Sequence, residues 1–214
     1  MNDIEQTINY VKQELKGAEA GHDWFHIQRV YNNAQNLLKT EKANEQVVLL
    51  GALLHDIADS KFHNGDETIG PKKAFEFMTS IGISDDVKTH VVKIIENISF
   101  KGGNVERAFS SKELDIVQDA DRLDAIGAIG IARTFNYGGF KNNALYDPEQ
   151  PPVLNMTKEM YKKHQGTTIN HFYEKLLLLK DRMNTETGKK IAENRHQFME
   201  MFLEQFFNEW EGRL

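Results

Sequence analysis

Residues 47–57 read Val-Val-Leu-Leu-Gly-Ala-Leu-Leu-His-Asp-Ile, the most apolar stretch of the chain. Up to Leu54 no position is polar, so a helix here is apolar on all sides, which predicts a buried central helix. The run is far shorter than the roughly 20 residues that span a bilayer. Because His55 and Asp56 follow at once, two ionisable side chains are expected at the end of the most buried element.

The remaining chain has apolar residues at helical spacing almost throughout. Ile27, Val30, Ala34 and Leu37 form one stripe, and a C-terminal stripe runs from Ile191 to Trp210. Three of the four prolines fall within 148–152, which leaves most of the chain without helix breakers. The predicted fold is all-α, with a long loop at 137–153. The predicted helices are 2–18, 23–40, 44–58, 70–81, 85–98, 111–135, 154–182 and 188–211.

Composition narrows the class of protein. The chain has 214 residues, 26 Lys+Arg against 32 Asp+Glu and a net charge of −6, which disfavours binding to polymeric nucleic acid. It has no cysteine, which excludes a disulfide scaffold or a cysteine-based zinc site. The acidic, polar N-terminus carries no secretory signal, so a cytoplasmic location without a membrane partner is expected. No repeat or linker is visible, which predicts a single domain over 1–214 with core motifs at 22–135 and a C-terminal helical extension at 154–211.

Three segments place ionisable groups where a core is expected. His26 lies at the edge of the first stripe, His55-Asp56 ends the central helix, and Asp121 lies four residues after Val117 on an inward face. A buried unpaired carboxylate costs several kcal/mol or becomes neutral. One divalent cation held by all four side chains removes these penalties, and the mixed nitrogen and oxygen donors suit Mn, Fe, Ni, Zn or Co. Taken singly, each residue also fits an ordinary helix-edge histidine or a surface ion pair.

This set of residues resembles the H…HD…D signature of the HD-domain metal-dependent phosphohydrolases. The neighbouring text is similar as well: Gly-His-Asp at 21–23, Leu-Leu-His-Asp-Ile-Ala-Asp at 53–59 and Asp-Ala-Asp-Arg-Leu-Asp at 119–124. The small bacterial YpgQ-like subgroup is the most similar, and the resemblance covers essentially the whole chain. It implies a single all-α HD-domain helical bundle, with the metal between central helices.

The resemblance also implies the metal ligands, which are His26, His55, Asp56 and Asp121. Manganese is the expected ion, with nickel, iron, cobalt, zinc or magnesium as alternatives. Relatives that bind two ions carry extra histidines, often as a pair, between the HD pair and the last aspartate. Glu96 and Asn97 stand about where that pair is expected here, which favours one ion.

Other polar residues are candidates for chemistry or substrate binding. Asp59, one turn beyond His55, is predicted to orient water or act as a base, and His63 is the second catalytic candidate. The predicted substrate-binding residues are His22, Lys61, Arg133, Lys141, His171 and Lys175. For each of them a helix cap, a solvated loop or an ordinary helix surface is an open alternative.

Metal-dependent hydrolysis of a nucleotide is the function that the resemblance favours. The expected reaction converts a nucleoside triphosphate to a monophosphate and pyrophosphate with metal-activated water. Alternatives are a nucleoside monophosphate, a cyclic nucleotide or a non-nucleotide phosphate ester as substrate, or a non-catalytic metal-stabilised binding module. The partner is thus a small phosphate compound, and the amphipathic C-terminal helix fits either a homodimer or packing within one chain.

Overall fold

The computed structural model describes residues 2–17, 23–58, 66–98, 108–157, 160 and 164–213. Within these ranges all regular structure is helical, which confirms the all-α prediction. The helices are α1 Asp3–Glu14, α2 Trp24–Leu38, α3 Glu45–Leu54, α4 Ile69–Ser80, α5 Asp85–Asn97, α6 Lys112–Asp124, α7 Gly127–Phe140, α8 Asn170–Glu174 and α9 Glu186–Trp210. A 3₁₀ helix, Leu176–Arg182, lies between α8 and α9.

The chain forms two compact units, Met1–Asp121 and Arg122–Leu214. The predictions of a single domain and of a homodimer stay predictions. Along the described ranges, no helix has both the length and the apolarity needed to cross a membrane.

The first unit is built around α3. All residues from Val47 to Leu54 are buried, and α1, α2 and α5 pack against this helix. Asn44 caps its N-terminus, since the Asn44 side-chain oxygen accepts a hydrogen bond from the Val47 amide at 3.2 Å. Gly51 lets α6 come close, because a Cβ there would lie 3.3 Å from a Val117 methyl carbon. The predicted buried central helix is confirmed, although it ends at Leu54 and not at Ala58.

The predicted helix 111–135 is wrong in its middle. Between α6 and α7 the backbone of Ile126 is extended, and Gly127 has a φ of +75°, which a continuous helix does not allow. A Cβ at Gly127 would lie 3.0 Å from Cβ and Cγ of Arg195, so the lack of a side chain at Gly127 lets Arg195 of α9 pack closely there. Apolar periodicity continues across the break, which is why spacing alone does not reveal it.

The predicted continuous helix 154–182 is also wrong, because the described part of this range is interrupted. Residues 154–157 and 164–169 are not helical, residue 160 is helical, and α8 begins at Asn170. The backbone amides of Thr168 and Ile169 donate to the carbonyls of Ala144 and Leu145 at 2.9 and 3.1 Å. Tertiary hydrogen bonds therefore replace the expected intrahelical ones. The predicted loop at 137–153 begins later than expected, because α7 continues to Phe140.

Aromatic side chains form much of the core of the second unit. Phe172 of α8 is fully buried and stacks on Phe202 of α9, with ring centroids 5.8 Å apart. Phe135 of α7 contacts both rings, so three helices meet there. Such contacts add to the stabilisation from burying the rings.

Replacement of Gly127 by alanine should destabilise the protein. A left-handed backbone costs an L-residue about 1–2 kcal/mol, and the new methyl group would press on Arg195. We expect the free energy of unfolding, measured by urea denaturation, to fall by about 2 kcal/mol. Gly139→Ala is the control, since no atom lies within 4 Å of its added Cβ, and it should gain up to about 1 kcal/mol. Equal stabilities of the two variants would contradict the strained role of Gly127.

Candidate metal centre

Three helices of the first unit each contribute to one cluster of donor atoms. His26 lies in the first turn of α2, where the N-cap Asp23 side chain accepts a hydrogen bond from the His26 amide at 3.0 Å. His55 is the C-cap of α3. Asp121 lies in the last turn of α6. Each side chain thus projects from a helix end or a terminal turn.

The donor atoms of these side chains face one another. The Nε2 atoms of His26 and His55 are 3.3 Å apart. An Oδ1 atom of Asp121 lies 3.6 Å from the His26 Nε2 atom and 3.9 Å from the His55 Nε2 atom. His26, His55 and Asp56 also offer one ligand atom each, and these three atoms lie within 4.8 Å of one another. The four predicted metal ligands are therefore neighbours, although their ligand role stays a prediction.

The tautomer of His55 suits a metal ligand. Its Nδ1 atom lies 2.9 Å from the Ala52 carbonyl oxygen, and since a carbonyl only accepts, Nδ1 carries the proton. The Nε2 lone pair of His55 then points into the cluster. A histidine that binds a metal through one ring nitrogen commonly donates the N–H of its other ring nitrogen in this way. His55 and Asp56 directly follow Leu54, the last residue of α3, and each of them offers a ligand atom within 4.8 Å of the other.

The separation of the two imidazole donors fits a shared ion. Two ligand atoms each about 2.1 Å from one ion, in tetrahedral or octahedral arrangement, lie roughly 3.0–3.4 Å apart. The observed Nε2–Nε2 distance of 3.3 Å falls in that range. Two imidazoles and two carboxylates also match the donor preference of the middle and late transition metals. The residues present could therefore hold a divalent cation without rebuilding the fold.

Burial is uneven across the cluster. The side chains of His26 and His55 are 3% and 5% exposed, whereas that of Asp121 is 38% exposed. The imidazoles are enclosed because they lie beside the buried α3. Among these three residues the cluster is thus enclosed at the two histidines and exposed at Asp121.

His90, the histidine nearest in sequence to an expected second-ion pair, has other partners. Its Nε2 atom lies 2.9 Å from the Ser111 hydroxyl oxygen and 3.5 Å from a Glu113 carboxylate oxygen. Glu113 precedes Asp121 by eight residues of α6, or about 12 Å of helix. Asn97 donates its side-chain amide to the Lys93 carbonyl at 2.8 Å. These contacts are consistent with the one-ion prediction.

Several predicted site residues have no structural description. His22, Asp59, Lys61 and His63 lie outside the described ranges. Their assigned roles in catalysis and substrate binding stay predictions.

The other predicted substrate-binding residues belong to the second unit. Arg133 donates to the Asp124 carboxylate at 2.5 Å, and Lys141 lies over the rings of Tyr137 and Phe140. Burial, with a smaller contribution from the Lys175 ammonium group, lowers the pKa of His171 to about 3. At neutral pH His171 can thus share hydrogen bonds but adds no positive charge.

Sequence reasoning missed the partners that hold α6 in place. The Asn33 side chain of α2 donates to the Ala120 carbonyl at 3.0 Å, next to Asp121 in the chain. Asp124 is 2% exposed and pairs with Arg133. Arg195 donates to the Leu123 carbonyl. The three aspartates between 119 and 124 were a usable signal, since so many carboxylates in a buried helix require partners.

Comparison with known proteins identifies the class to which this fold and cluster belong. The model of the HD domain family matches residues 24–126. That range contains all three segments of the candidate metal centre, and the family binds divalent metals. The chain belongs to the HD domain family and is a phosphohydrolase enzyme of the HD superfamily.

Individual relatives match nearly the whole chain. YpgQ from Bacillus subtilis is 36% identical over 206 residues, which are 96% of this chain and 92% of YpgQ. The crystal structure of an HD-superfamily hydrolase from Bacillus thuringiensis is 44% identical, with a TM-score of 0.79 over 98% of this chain and 97% of the other. The crystal structure of B. subtilis YpgQ in complex with ADP is 34% identical, with a TM-score of 0.75 over 97% of both chains.

We expect His171 to stay neutral in the folded protein well below pH 6. Its folded pKa of about 3 lies below the roughly 6.5 of an unfolded histidine. The stability that this neutral ring contributes is complete above about pH 6.5 and is lost as the pH falls towards 3. The pKa of His171 can be measured from its ring-nitrogen chemical shifts in an NMR titration. Lys175→Met should raise the pKa of His171, and a wild-type midpoint near 6.5 would contradict the assignment.

Proposed function

We propose that this HD-superfamily enzyme hydrolyses nucleotides with one divalent ion held by His26, His55, Asp56 and Asp121. Manganese is the proposed ion, with nickel, iron, cobalt, zinc and magnesium as alternatives. The observation that carries the proposal is the pair of enclosed imidazoles with Nε2 atoms 3.3 Å apart, one of them held by the Ala52 carbonyl in the ligating tautomer. A bound divalent ion supplies a Lewis acid for a phosphoryl oxygen and lowers the pKa of water.

The chain's own residues would set the direction of approach. Among these side chains those of His26 and His55 are enclosed and that of Asp121 is 38% exposed, so we propose that a phosphate approaches from the side of Asp121. The Ala52 carbonyl holds the proton on Nδ1 of His55 and keeps its Nε2 atom available. Asp59 and His63 remain the proposed catalytic residues that orient or deprotonate water.

ADP in the YpgQ crystal structure supports a nucleotide as the ligand class. We propose a nucleoside triphosphate as substrate, with a nucleoside monophosphate and pyrophosphate as products. Phosphate oxygens would be bound by Lys61, Lys141 and Lys175. His171, neutral at physiological pH, would offer hydrogen bonds only, and His22 and Arg133 complete the proposed substrate-binding set.

Product analysis of a nucleotide panel tests the reaction. The Mn-loaded protein is incubated with nucleoside triphosphates, diphosphates, monophosphates and cyclic nucleotides, and the products are separated by anion-exchange chromatography. Monophosphate with pyrophosphate is the expected pair. Release of inorganic phosphate and a nucleoside would instead indicate a nucleoside monophosphate as substrate. A ring-opened monophosphate would indicate a cyclic nucleotide. Binding of nucleotides without any product would favour the non-catalytic binding module.

Asp121→Ala should remove the ion and the activity together. The variant loses the carboxylate on the open side, while the buried apolar faces of α6 remain, so helix content by circular dichroism should be unchanged. We expect about a hundredfold loss of turnover, since even the hydrogen-bonding partners of metal ligands are typically worth about 10–100-fold in metal affinity or activity. Metal content is measured by mass spectrometry after gel filtration.

Asp86→Ala is the matched control for this variant. Asp86 is an exposed aspartate in the first turn of α5, in the same unit as Asp121. It should keep wild-type metal content and turnover. Full metal and full activity in Asp121→Ala would remove Asp121 from the proposed ligand set.

A further inference from the structure

Two guanidinium groups hold the C-terminal end of α6. Arg195 of α9 donates through Nη1 to the Leu123 carbonyl, and Arg133 of α7 lies 3.3 Å from the Asp124 carbonyl oxygen through its own Nη1. The last carbonyls of a helix lack intrahelical partners and carry the negative end of its dipole, so cations are favourable there. The Ile126 amide reaches the Leu123 carbonyl only at 3.4 Å. Arg195 therefore supplies a second donor to a carbonyl whose backbone bond is long.

The charged groups at this end of α6 interact with one another. Asp124 is almost fully buried, and its Oδ2 atom accepts a hydrogen bond from Arg133 at 2.5 Å. Burial lowers the pKa of Arg195, and the Asp124 carboxylate counteracts that lowering. Burying such groups is costly unless they are paired, so the arrangement indicates that this turn has to be held in one position.

Gly127 fixes where the Arg195 side chain can lie. The Cβ and Cγ atoms of Arg195 occupy the space beside Gly127, 3.0 Å from the place of a Cβ atom. The guanidinium group therefore starts from a stem packed against the backbone that follows α6. A contact at both ends of the side chain restricts it more than a surface hydrogen bond would.

The turn held by Arg195 also carries Asp121. Asp121 lies two residues before Leu123 in α6, and its carboxylate is the exposed member of the candidate metal centre. Terminal turns of helices are the parts that fray first. We propose that Arg195 is a positioning residue: by binding the Leu123 carbonyl it keeps the last turn of α6 intact and thereby directs the Asp121 carboxylate towards His26 and His55. The metal part of this inference rests on the proposed function.

The test compares three variants of the full chain. Arg195→Met keeps an apolar stem against Gly127 and removes every donor. Arg195→Lys restores one donor and covers the case in which the methionine variant folds poorly. Thr185→Ala is the control, because Thr185 caps the N-terminus of α9 through its hydroxyl, which accepts a hydrogen bond from the Gly188 amide at 2.9 Å. Its loss should lower the Tm by about 2–4 °C without affecting the Leu123 carbonyl.

Two readouts separate positioning from general stability. Amide hydrogen exchange over residues 119–126 is measured without metal, and Mn²⁺ affinity is measured by competition with a chelating dye. Arg195→Met should speed exchange in this segment and weaken Mn²⁺ binding by about tenfold, as removal of a partner of a ligand typically does. Arg195→Lys should recover part of both effects. Thr185→Ala should show neither.

The contrary outcomes are distinct. Unchanged exchange and unchanged affinity in Arg195→Met, or an equal loss of affinity in Thr185→Ala, would overturn the positioning role. A wild-type chain that binds neither Mn²⁺ nor any of the alternative ions Ni²⁺, Fe²⁺, Co²⁺, Zn²⁺ and Mg²⁺ would overturn the proposed function and the metal part of this inference. In that case, faster exchange confined to Arg195→Met would still support the hold of Arg195 on α6.

Discussion

The enclosed pair of imidazoles is the constraint on which the first unit depends. Two imidazoles whose Nε2 atoms lie 3.3 Å apart need a hydrogen atom or a cation between these atoms, because two facing lone pairs repel each other. The Ala52 carbonyl already fixes the proton of His55 on Nδ1, so His55 faces the cluster as an acceptor. A cation satisfies His26, His55 and the neighbouring carboxylates at once, whereas a shared proton satisfies only the two rings.

The architecture around this pair follows from the need to enclose it. α3 is apolar on every side because α1, α2 and α5 surround it, and this burial keeps water from the His55 ring. His55 and Asp56 come directly after its last residue, Leu54, so both side chains lie at the C-terminal end of this buried helix. Gly51 serves the same end, since the lack of a side chain lets α6, the helix of Asp121, approach α3. The burial of α3 and the close approach of α6 therefore serve the same site.

Periodicity predicts the residues that face inward, and the site depends mainly on those. His26, His55 and Asp121 were recognisable because polar groups interrupt apolar stripes, and the structure brings these three side chains together. The helix ends were less accessible. Gly127 breaks a run whose apolar spacing continues, and the amides of Thr168 and Ile169 donate to the carbonyls of Ala144 and Leu145 instead of to a helix. The contact of Arg195 with the Leu123 carbonyl joins residues 72 positions apart, and no local pattern encodes it.

Charge balance limits how the proposed centre can attract a phosphate. Two carboxylates and two neutral imidazoles carry a charge of about −2, which one divalent ion cancels, so the loaded centre has no net attraction for an anion. The chain as a whole has a net charge of −6 and adds repulsion at long range. His171 is neutral at physiological pH and cannot offset it. Binding of the proposed nucleotide would therefore have to come from directed bonds at short range, to the ion and to the individual lysines proposed above, and not from a broad positive field. A site of this kind selects by where each phosphate oxygen fits, which is the property needed to cleave one phosphate bond of a nucleotide and leave the others.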